Sequence, residues 1–200
     1  MRAAIVLLLA VMIGGCPSAA IPFHDYAKEP DPRTSELVLG VGDAIAINVW
    51  ENKEFNTEAT IRPDGTITMP LIGDLKAAGE TPTSLKKQIK TQLADYVKSA
   101  PGTELVTIAV KAWRSYKFTI QGEIARPGVY SSEGFVTVAD AIAMAGGLSR
   151  FANQSGIKIF RTDPVTKKVR QIPIDYGKIT SGKRLDMNIW VLAGDVLSIP

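Results

Sequence analysis

The chain has 200 residues, 46% of them hydrophobic and 22% charged, which is enough apolar material for one large domain or two small ones. Lysine and arginine exceed aspartate and glutamate by only three, and the charges are scattered, so the sequence lacks the basic patch typical of nucleic-acid-binding proteins. A single cysteine and a single histidine exclude an intrachain disulfide and the usual set of zinc ligands, and no cofactor is expected.

The first fifteen residues have the pattern of a secretory signal. Arg2 precedes an apolar run from Ala3 to Ile13, which is too short for a transmembrane helix of about twenty residues. Ile13-Gly14-Gly15-Cys16 resembles the lipobox of bacterial lipoproteins, and this predicts removal of residues 1–15 and acylation of Cys16. The alternative is an ordinary secreted protein with one free thiol.

Residues 16–35 are predicted to be a tether between the lipid and the folded body. Four prolines lie among polar residues from Pro17 to Ser35, without apolar periodicity. The only histidine, His24, lies in this segment, where no rigid frame is expected to hold it as a ligand or a general base.

Residues 36–112 have the pattern of a small domain of strands and one helix. Apolar side chains alternate through 44–50, as in a strand with one buried face. The turn formers Pro63-Asp64-Gly65 predict a hairpin over 61–69. A helix is predicted over 82–99, because Thr81 can cap it and apolar residues recur every four positions on one face, at Leu85, Ile89, Leu93 and Val97. A strand follows over 106–110.

Residues 116–200 predict a second small domain. It opens with a strand at 118–120 and a Pro127-Gly128 turn, and a short helix follows that Thr137 caps and Gly146-Gly147 ends. A hairpin is predicted around Asp163-Pro164. The last segment, 194–199, repeats the pattern of 42–47, which indicates the same turn leading into a strand.

Two stretches carry a family resemblance. Arg62-Pro63-Asp64-Gly65, Pro70-Leu71-Ile72-Gly73 and the helix after Thr81 resemble the export domain of bacterial outer-membrane polysaccharide export (OPX) lipoproteins, over residues 36–112. QGEIARPGVY, TVADAIAMAGGL and AGDVLSIP resemble the SLBB domain, a small β-grasp-like module that follows the export domain in those proteins, over residues 116–200. The two signatures in this order, behind a lipoprotein signal, are specific together.

The resemblance implies an α+β fold, with an export domain of hairpins and one amphipathic helix followed by the SLBB domain. It implies a non-enzymatic role as a homo-oligomeric ring on the periplasmic face of the outer membrane, anchored through Cys16, that conducts capsular or exopolysaccharide to the cell surface. The implied partners are the polysaccharide chain, an inner-membrane polysaccharide co-polymerase and an outer-membrane β-barrel pore protein. A separate pore is expected because the sequence stops at Pro200, without the C-terminal amphipathic helix of longer family members. The alternative from another class is a monomeric envelope lipoprotein that binds glycan or peptidoglycan through its SLBB domain.

Two sets of side chains are candidates for a direct role with sugars. Asp43, Glu51, Asp64 and Asp74 could supply the carboxylate pair of a glycoside hydrolase, but Asp43 and Asp64 occupy turns where aspartate has a backbone task, so no catalytic residue is expected. The tryptophans are candidates for glycan contact, with the core or a subunit interface as the competing interpretation; they are Trp50, Trp113 and Trp190.

Overall fold

The computed structural model describes residues 24–97, 104–164 and 166–200. The predicted signal, Cys16 and the first part of the predicted tether lie outside these residues. Within them the chain forms helices and sheets around two hydrophobic cores, which confirms the α+β class. The strands are β1 (Ala44–Val49), β2 (Thr57–Thr60), β3 (Thr66–Met69), β4 (Gly73–Lys76), β5 (Val106–Ala112), β6 (Lys117–Gly122), β7 (Gly128–Ser131), β8 (Ile157–Thr162), β9 (Val169–Ile174) and β10 (Val196–Ile199). The α-helices are α1 (Pro82–Leu93), α2 (Val138–Met144) and α3 (Tyr176–Thr180), and short 3-10 helices lie at Tyr26–Lys28, Pro32–Thr34, Lys53–Phe55 and Leu185–Met187.

The first core lies between a three-stranded sheet, the hairpin β3–β4 and helix α1. The sheet order is β2-β1-β5, with both pairs antiparallel. The apolar face of α1 is fully buried in this core through Leu85, Ile89 and Leu93. The hydroxyl of Thr81 accepts the Ser84 N–H at the start of α1, as the sequence predicts. The helix ends at Leu93 rather than near 99, and 98 and 99 lie outside the described residues.

The hairpin predicted over 61–69 forms at its turn, but the strand after the turn makes its ladder with another partner. The turn itself is present, since Gly65 N–H donates to Arg62 O at 2.8 Å. Arg62 N–H also donates to Thr66 O at 3.0 Å, so residue 62 pairs with the first residue of β3. Beyond that pair, β3 makes its ladder with β4. Ile61 bonds on the opposite side, since its N–H donates to Asp43 O and its carbonyl accepts the Gly42 N–H. The segment before the turn thus continues the pairing with the first sheet, and the predicted hairpin is confined to residues 62–66.

The second core lies under a five-stranded mixed sheet of order β7-β6-β10-β8-β9. The last strand, β10, lies at its centre, parallel to β6 and antiparallel to β8. The predicted hairpin around Asp163-Pro164 is present as β8 paired with β9. Helix α2 packs on this core and begins with a capping box, in which the Thr137 hydroxyl accepts the Asp140 N–H and the Asp140 carboxylate accepts the Thr137 N–H.

Residues 24–35 are bound to the second core. Tyr26 is buried there, and its hydroxyl donates to the carbonyl oxygen of Pro173 in β9. Burial raises the pKa of the Tyr26 hydroxyl above its usual value. The Arg33 guanidinium lies over the Trp190 ring, 4.4 Å from its centroid. The packing of residues 24–35 differs from the tether expected over 16–35. Tyr26 supplies buried apolar surface, which the mostly polar sequence of the segment does not indicate.

Candidate functional site

Two turns of the same construction lead into β1 and β10. In Gly42-Asp43 and Gly194-Asp195 the glycine has a positive φ, 91° and 84°, which glycine adopts without strain. Each aspartate side chain accepts the backbone N–H three residues before it, from Gly40 at 2.8 Å and from Leu192 at 2.7 Å. Both carboxylates are buried. The repeat seen in the sequence is therefore a repeated turn, and each buried carboxylate has further partners.

Asp43 connects the first domain to the start of the second. Its carboxylate accepts the backbone N–H groups of Arg114 at 2.8 Å and Ser115 at 2.7 Å, and the Ser115 hydroxyl at 2.8 Å. With the Gly40 bond, four donors converge on one side chain whose residue is 0% exposed. The bond to Gly40 is the backbone task that the turn position of Asp43 predicts, and the bonds to Arg114 and Ser115 hold the connection between the sheets.

Asp195 belongs to a buried ion network. Arg161 donates from Nε to Asp195 Oδ1 at 3.0 Å and from Nη2 to Asp195 Oδ2 at 2.6 Å. From Nη1 it donates to Glu29 Oε2 at 2.7 Å, and Arg170 donates from Nη1 to Glu29 Oε1 at 2.7 Å. The Arg161, Asp195 and Glu29 side chains are only 4%, 1% and 3% exposed. Removing one partner would leave an uncompensated buried charge, so the network holds residues 24–35 against the second sheet.

The sequence interpretation did not find this network. The sequence holds one indication of it, because Arg161 alternates with the same period as Ile157 and Ile159 and so lies on the inward face of β8. An arginine at an inward position of a buried strand requires a buried anionic partner. The residues near Arg161 in the sequence do not identify this partner, since Glu29 lies 132 residues away.

The exposed carboxylates of the first domain are tied into the turns around β3. The Thr66 hydroxyl donates to Asp64, and the Thr68 hydroxyl donates to Asp74. These hydrogen bonds lower the pKa of both carboxyls, and the Arg62 guanidinium, 2.9 Å from Asp74 Oδ2, adds to the effect. A glycosidase general acid needs a raised pKa. Neither aspartate is suited to that role.

The three tryptophans occupy different environments. Trp50 is 63% exposed, on the turn after β1, and its groove of about 360 Å³ is also lined by Asn48, Lys53 and Asn56. The turn is rigid, since Trp50 N–H donates to Leu105 O at 2.9 Å and the Asn52 side-chain amide donates to Trp50 O. The backbone of Trp50 is thus fixed, and its side chain lies in solvent beside hydrogen-bonding side chains.

Trp113 and Trp190 are half-buried and already have aromatic or cationic partners. Trp113 stacks on Tyr116 at 4.7 Å between ring centroids and meets the Phe135 ring edge-on at 4.9 Å. Trp190 lies under Arg33, as described above, and its backbone bridges to Thr137. Of the three candidates, Trp50 offers the largest open aromatic surface to a sugar.

Two further features, a metal site and a membrane-spanning helix, are absent from the described segments. Within residues 24–97, 104–164 and 166–200, no three side chains of His, Cys, Asp or Glu are close enough to hold a metal ion. In the same segments, no helix combines the length and apolar character that crossing a bilayer requires. Cys16, the candidate for lipid attachment, lies outside them.

The sequence matches two known domain families in succession. Residues 31–111 match the family described as polysaccharide biosynthesis/export protein, and residues 117–174 match the SLBB domain. Similar curated proteins include the exopolysaccharide production protein ExoF of Rhizobium meliloti, 28% identical over 133 residues, which are 60% of this chain and 30% of that protein. The EPS I polysaccharide export outer membrane protein EpsA of Ralstonia solanacearum is 27% identical over 135 residues, 56% of this chain and 35% of the relative. The capsule polysaccharide export protein BexD of Haemophilus influenzae is 24% identical over 180 residues, 80% of this chain and 43% of the relative. The aligned part thus spans about a third to two fifths of these relatives.

Proposed function

The chain belongs to the bacterial outer-membrane polysaccharide export family, and from that premise we propose that it conducts capsular or exopolysaccharide toward the cell surface without catalysing a reaction. Residues 36–112 are its export domain and 116–200 its SLBB domain. The observation that carries the proposal is the succession of the two domain matches along one chain. The lowered pKa values of Asp64 and Asp74 do not suit a glycosidase general acid, and Asp43 has a structural task.

Deletion of the gene in its host tests the proposed function. Surface polysaccharide is expected to disappear, while its biosynthetic enzymes stay active and polymer accumulates inside the cell. The wild-type gene on a plasmid is the control and restores the surface polymer. Normal surface polysaccharide in a deletion strain without a second homologue would refute export and favour the alternative, a monomeric lipoprotein that binds envelope glycan.

We propose that the conduit is a closed homo-oligomeric ring that works with an inner-membrane co-polymerase and an outer-membrane pore protein. Head-to-tail contacts close into rings when the rotation between neighbours completes a circle, and two domains in series offer one surface each for such contacts. Mass measurement of the detergent-solubilised full chain is expected to give one closed oligomer. A monomer at every concentration would contradict the ring.

The anchor is proposed to be lipid on Cys16. If Cys16 is acylated, the eight peptide links from Cys16 to His24 reach at most about 28 Å. Because residues 24–35 are bound to the second sheet, that sheet would then lie beside the membrane surface. A Cys16→Ser variant is expected to leave the membrane fraction and to lose the mass of the acyl chains, since stable attachment takes more than one chain. Unchanged fractionation and processing would refute the anchor.

Trp50 is the proposed contact for the passing polymer. A sugar ring stacked on the indole gains weak contact, and weak contact suits a chain that must keep moving. Trp50→Ala is expected to slow export of polymer while leaving folding and oligomer mass unchanged. Phe151→Ala is the matched control, because Phe151 is an aromatic residue 73% exposed on the second domain. Equal effects of both variants would remove the assignment to Trp50.

A further inference from the structure

A groove of about 700 Å³ lies where the two sheets come together. Its lining includes residues at the end of β5, an edge strand of the first sheet, and Ser131 at the end of β7, an edge strand of the second. Trp113 and Arg114, in the connection between the sheets, also line it. The backbone of this connection is held in place, because the Asp43 carboxylate accepts the Arg114 N–H at 2.8 Å. The groove is therefore part of the fixed joint between the domains.

The groove carries two cationic side chains with no ionic partner. Lys111 and Arg114 line it, and among the residues that the structure describes neither forms an ion pair with a carboxylate. Glu133 is the one acidic side chain in the lining as described, and it too is without a cation within ion-pair distance. The charged side chains of the groove thus carry a net charge of +1. Arg114 in addition presents the planar fork that pairs with both oxygens of a carboxylate.

The remaining lining suits a sugar. Trp113 is half-buried and held by its contacts with Tyr116 and Phe135, so the indole keeps one orientation. Ser131 and Ser132 add hydroxyl groups at the end of β7 and directly after it. An aromatic surface, hydroxyl groups and a few charged side chains are the combination by which polar ligands are oriented in a cleft.

We propose that this groove binds carboxylate-bearing sugar units, with the carboxylate at Lys111 and Arg114 and the sugar ring beside Trp113. The inference rests on the proposed export function and narrows its substrate class to acidic polysaccharide. The charges are at the surface and screened by salt, so each contact is weak and reversible. Such contacts guide an anionic chain along the joint without holding it.

Binding of a charged oligosaccharide and its neutral twin tests the proposal. The probes are hexagalacturonate and its fully methyl-esterified form, which share one backbone and differ in charge, with the detergent-solubilised full chain in a calorimeter at low salt. The acid is expected to bind, and the ester at least about tenfold more weakly, a difference of about 1.4 kcal/mol. Binding of the acid should weaken as salt rises to about 0.15 M. Equal binding of acid and ester, or no binding of the acid, would overturn the proposal.

A double variant assigns the binding to this groove. Lys111→Gln with Arg114→Gln is expected to lower the affinity for hexagalacturonate about tenfold. Lys87→Gln with Lys90→Gln is the matched control, because it removes the same charge from the exposed face of α1. An equal loss in both double variants would overturn the assignment, as would wild-type affinity of the first.

The outcome is separable from that of the export proposal. If gene deletion abolishes surface polysaccharide but hexagalacturonate does not bind, the export function stands and the acidic-sugar site is wrong. If deletion leaves surface polysaccharide intact, the export function fails whatever the binding result. Circular dichroism of each variant checks that a loss of binding does not come from unfolding.

Discussion

Replacement of Asp43 by alanine is expected to destabilise the joint between the two domains. The carboxylate accepts four hydrogen bonds, three from the backbone N–H groups of Gly40, Arg114 and Ser115 and one from the Ser115 hydroxyl. In Asp43→Ala the three part-buried N–H groups lose their acceptor, whereas the hydroxyl can turn toward another partner. The variant therefore tests whether one side chain holds the connection.

The magnitude follows from the number of donors left without an acceptor. Each unsatisfied buried donor costs about 1–3 kcal/mol, and water entering the space left by the carboxylate keeps each cost near the lower end. Three N–H groups thus give about 3–5 kcal/mol in the free energy of unfolding. Asp43→Asn keeps an oxygen for Arg114 and Ser115, which both donate to Oδ1, and places an amide against the Gly40 N–H. It should cost about half as much, roughly 1.5–2.5 kcal/mol.

Urea unfolding of the full chain, followed by circular dichroism, measures the series. Ser115→Ala is expected to cost about 1 kcal/mol, since it removes one bond and leaves no buried N–H unsatisfied. Asp95→Ala is the control, because this aspartate is exposed in the turn after α1, and its effect should lie within about 0.5 kcal/mol. A cost below about 1 kcal/mol for Asp43→Ala would refute the reasoning, because the four donors would then have adequate partners without the carboxylate.

Three further predictions concern stability. Leu93→Ala should lower the free energy of unfolding by about 2–5 kcal/mol, because the side chain is 0% exposed. Leu71→Ala is the control at a leucine 63% exposed and should change the urea midpoint little. Equal effects would contradict the assigned burial. Glu29→Ala should lower the free energy of unfolding by about 3–5 kcal/mol, because it leaves the buried arginine of the network without one of its anions. It should also speed tryptic cleavage within 24–35. An unchanged cleavage rate would show that this ion pair does not hold the segment. The hydrogen bond from the Thr137 hydroxyl, followed by that from its backbone N–H, lowers the pKa of Asp140 below 3.8. The stabilisation that Asp140 supplies is therefore complete above the unfolded-state pKa and is lost as the pH falls through the lower folded-state pKa. The difference in the free energy of unfolding between wild type and Asp140→Ala should thus shrink in acid. A constant difference from neutral pH to pH 2 would contradict this prediction.

Short-range patterns in the sequence predicted the local structure. Thr81 and Thr137 cap their helices as predicted, because a cap depends on donors within three residues. The buried face of α1 follows from the four-residue spacing of its apolar side chains. The turn at Gly42-Asp43 and its repeat at Gly194-Asp195 follow from residues that supply a positive φ and a backbone acceptor. In each case the interacting groups are neighbours in the chain, so the sequence alone determines them.

Long-range competition for partners was decided only by the tertiary structure. The hairpin predicted over 61–69 is confined to residues 62–66, because β3 makes its ladder with β4. Glu29 forms an ion pair with Arg161, which lies 132 positions later in the chain. Tyr26 packs in a core built from residues that follow it by about ninety positions or more. The exposure of Trp50, against the half-burial of Trp113 and Trp190, depends likewise on which surfaces pack together. No local pattern encodes these choices, because each is settled by the free energy of pairing and burial summed over the whole fold.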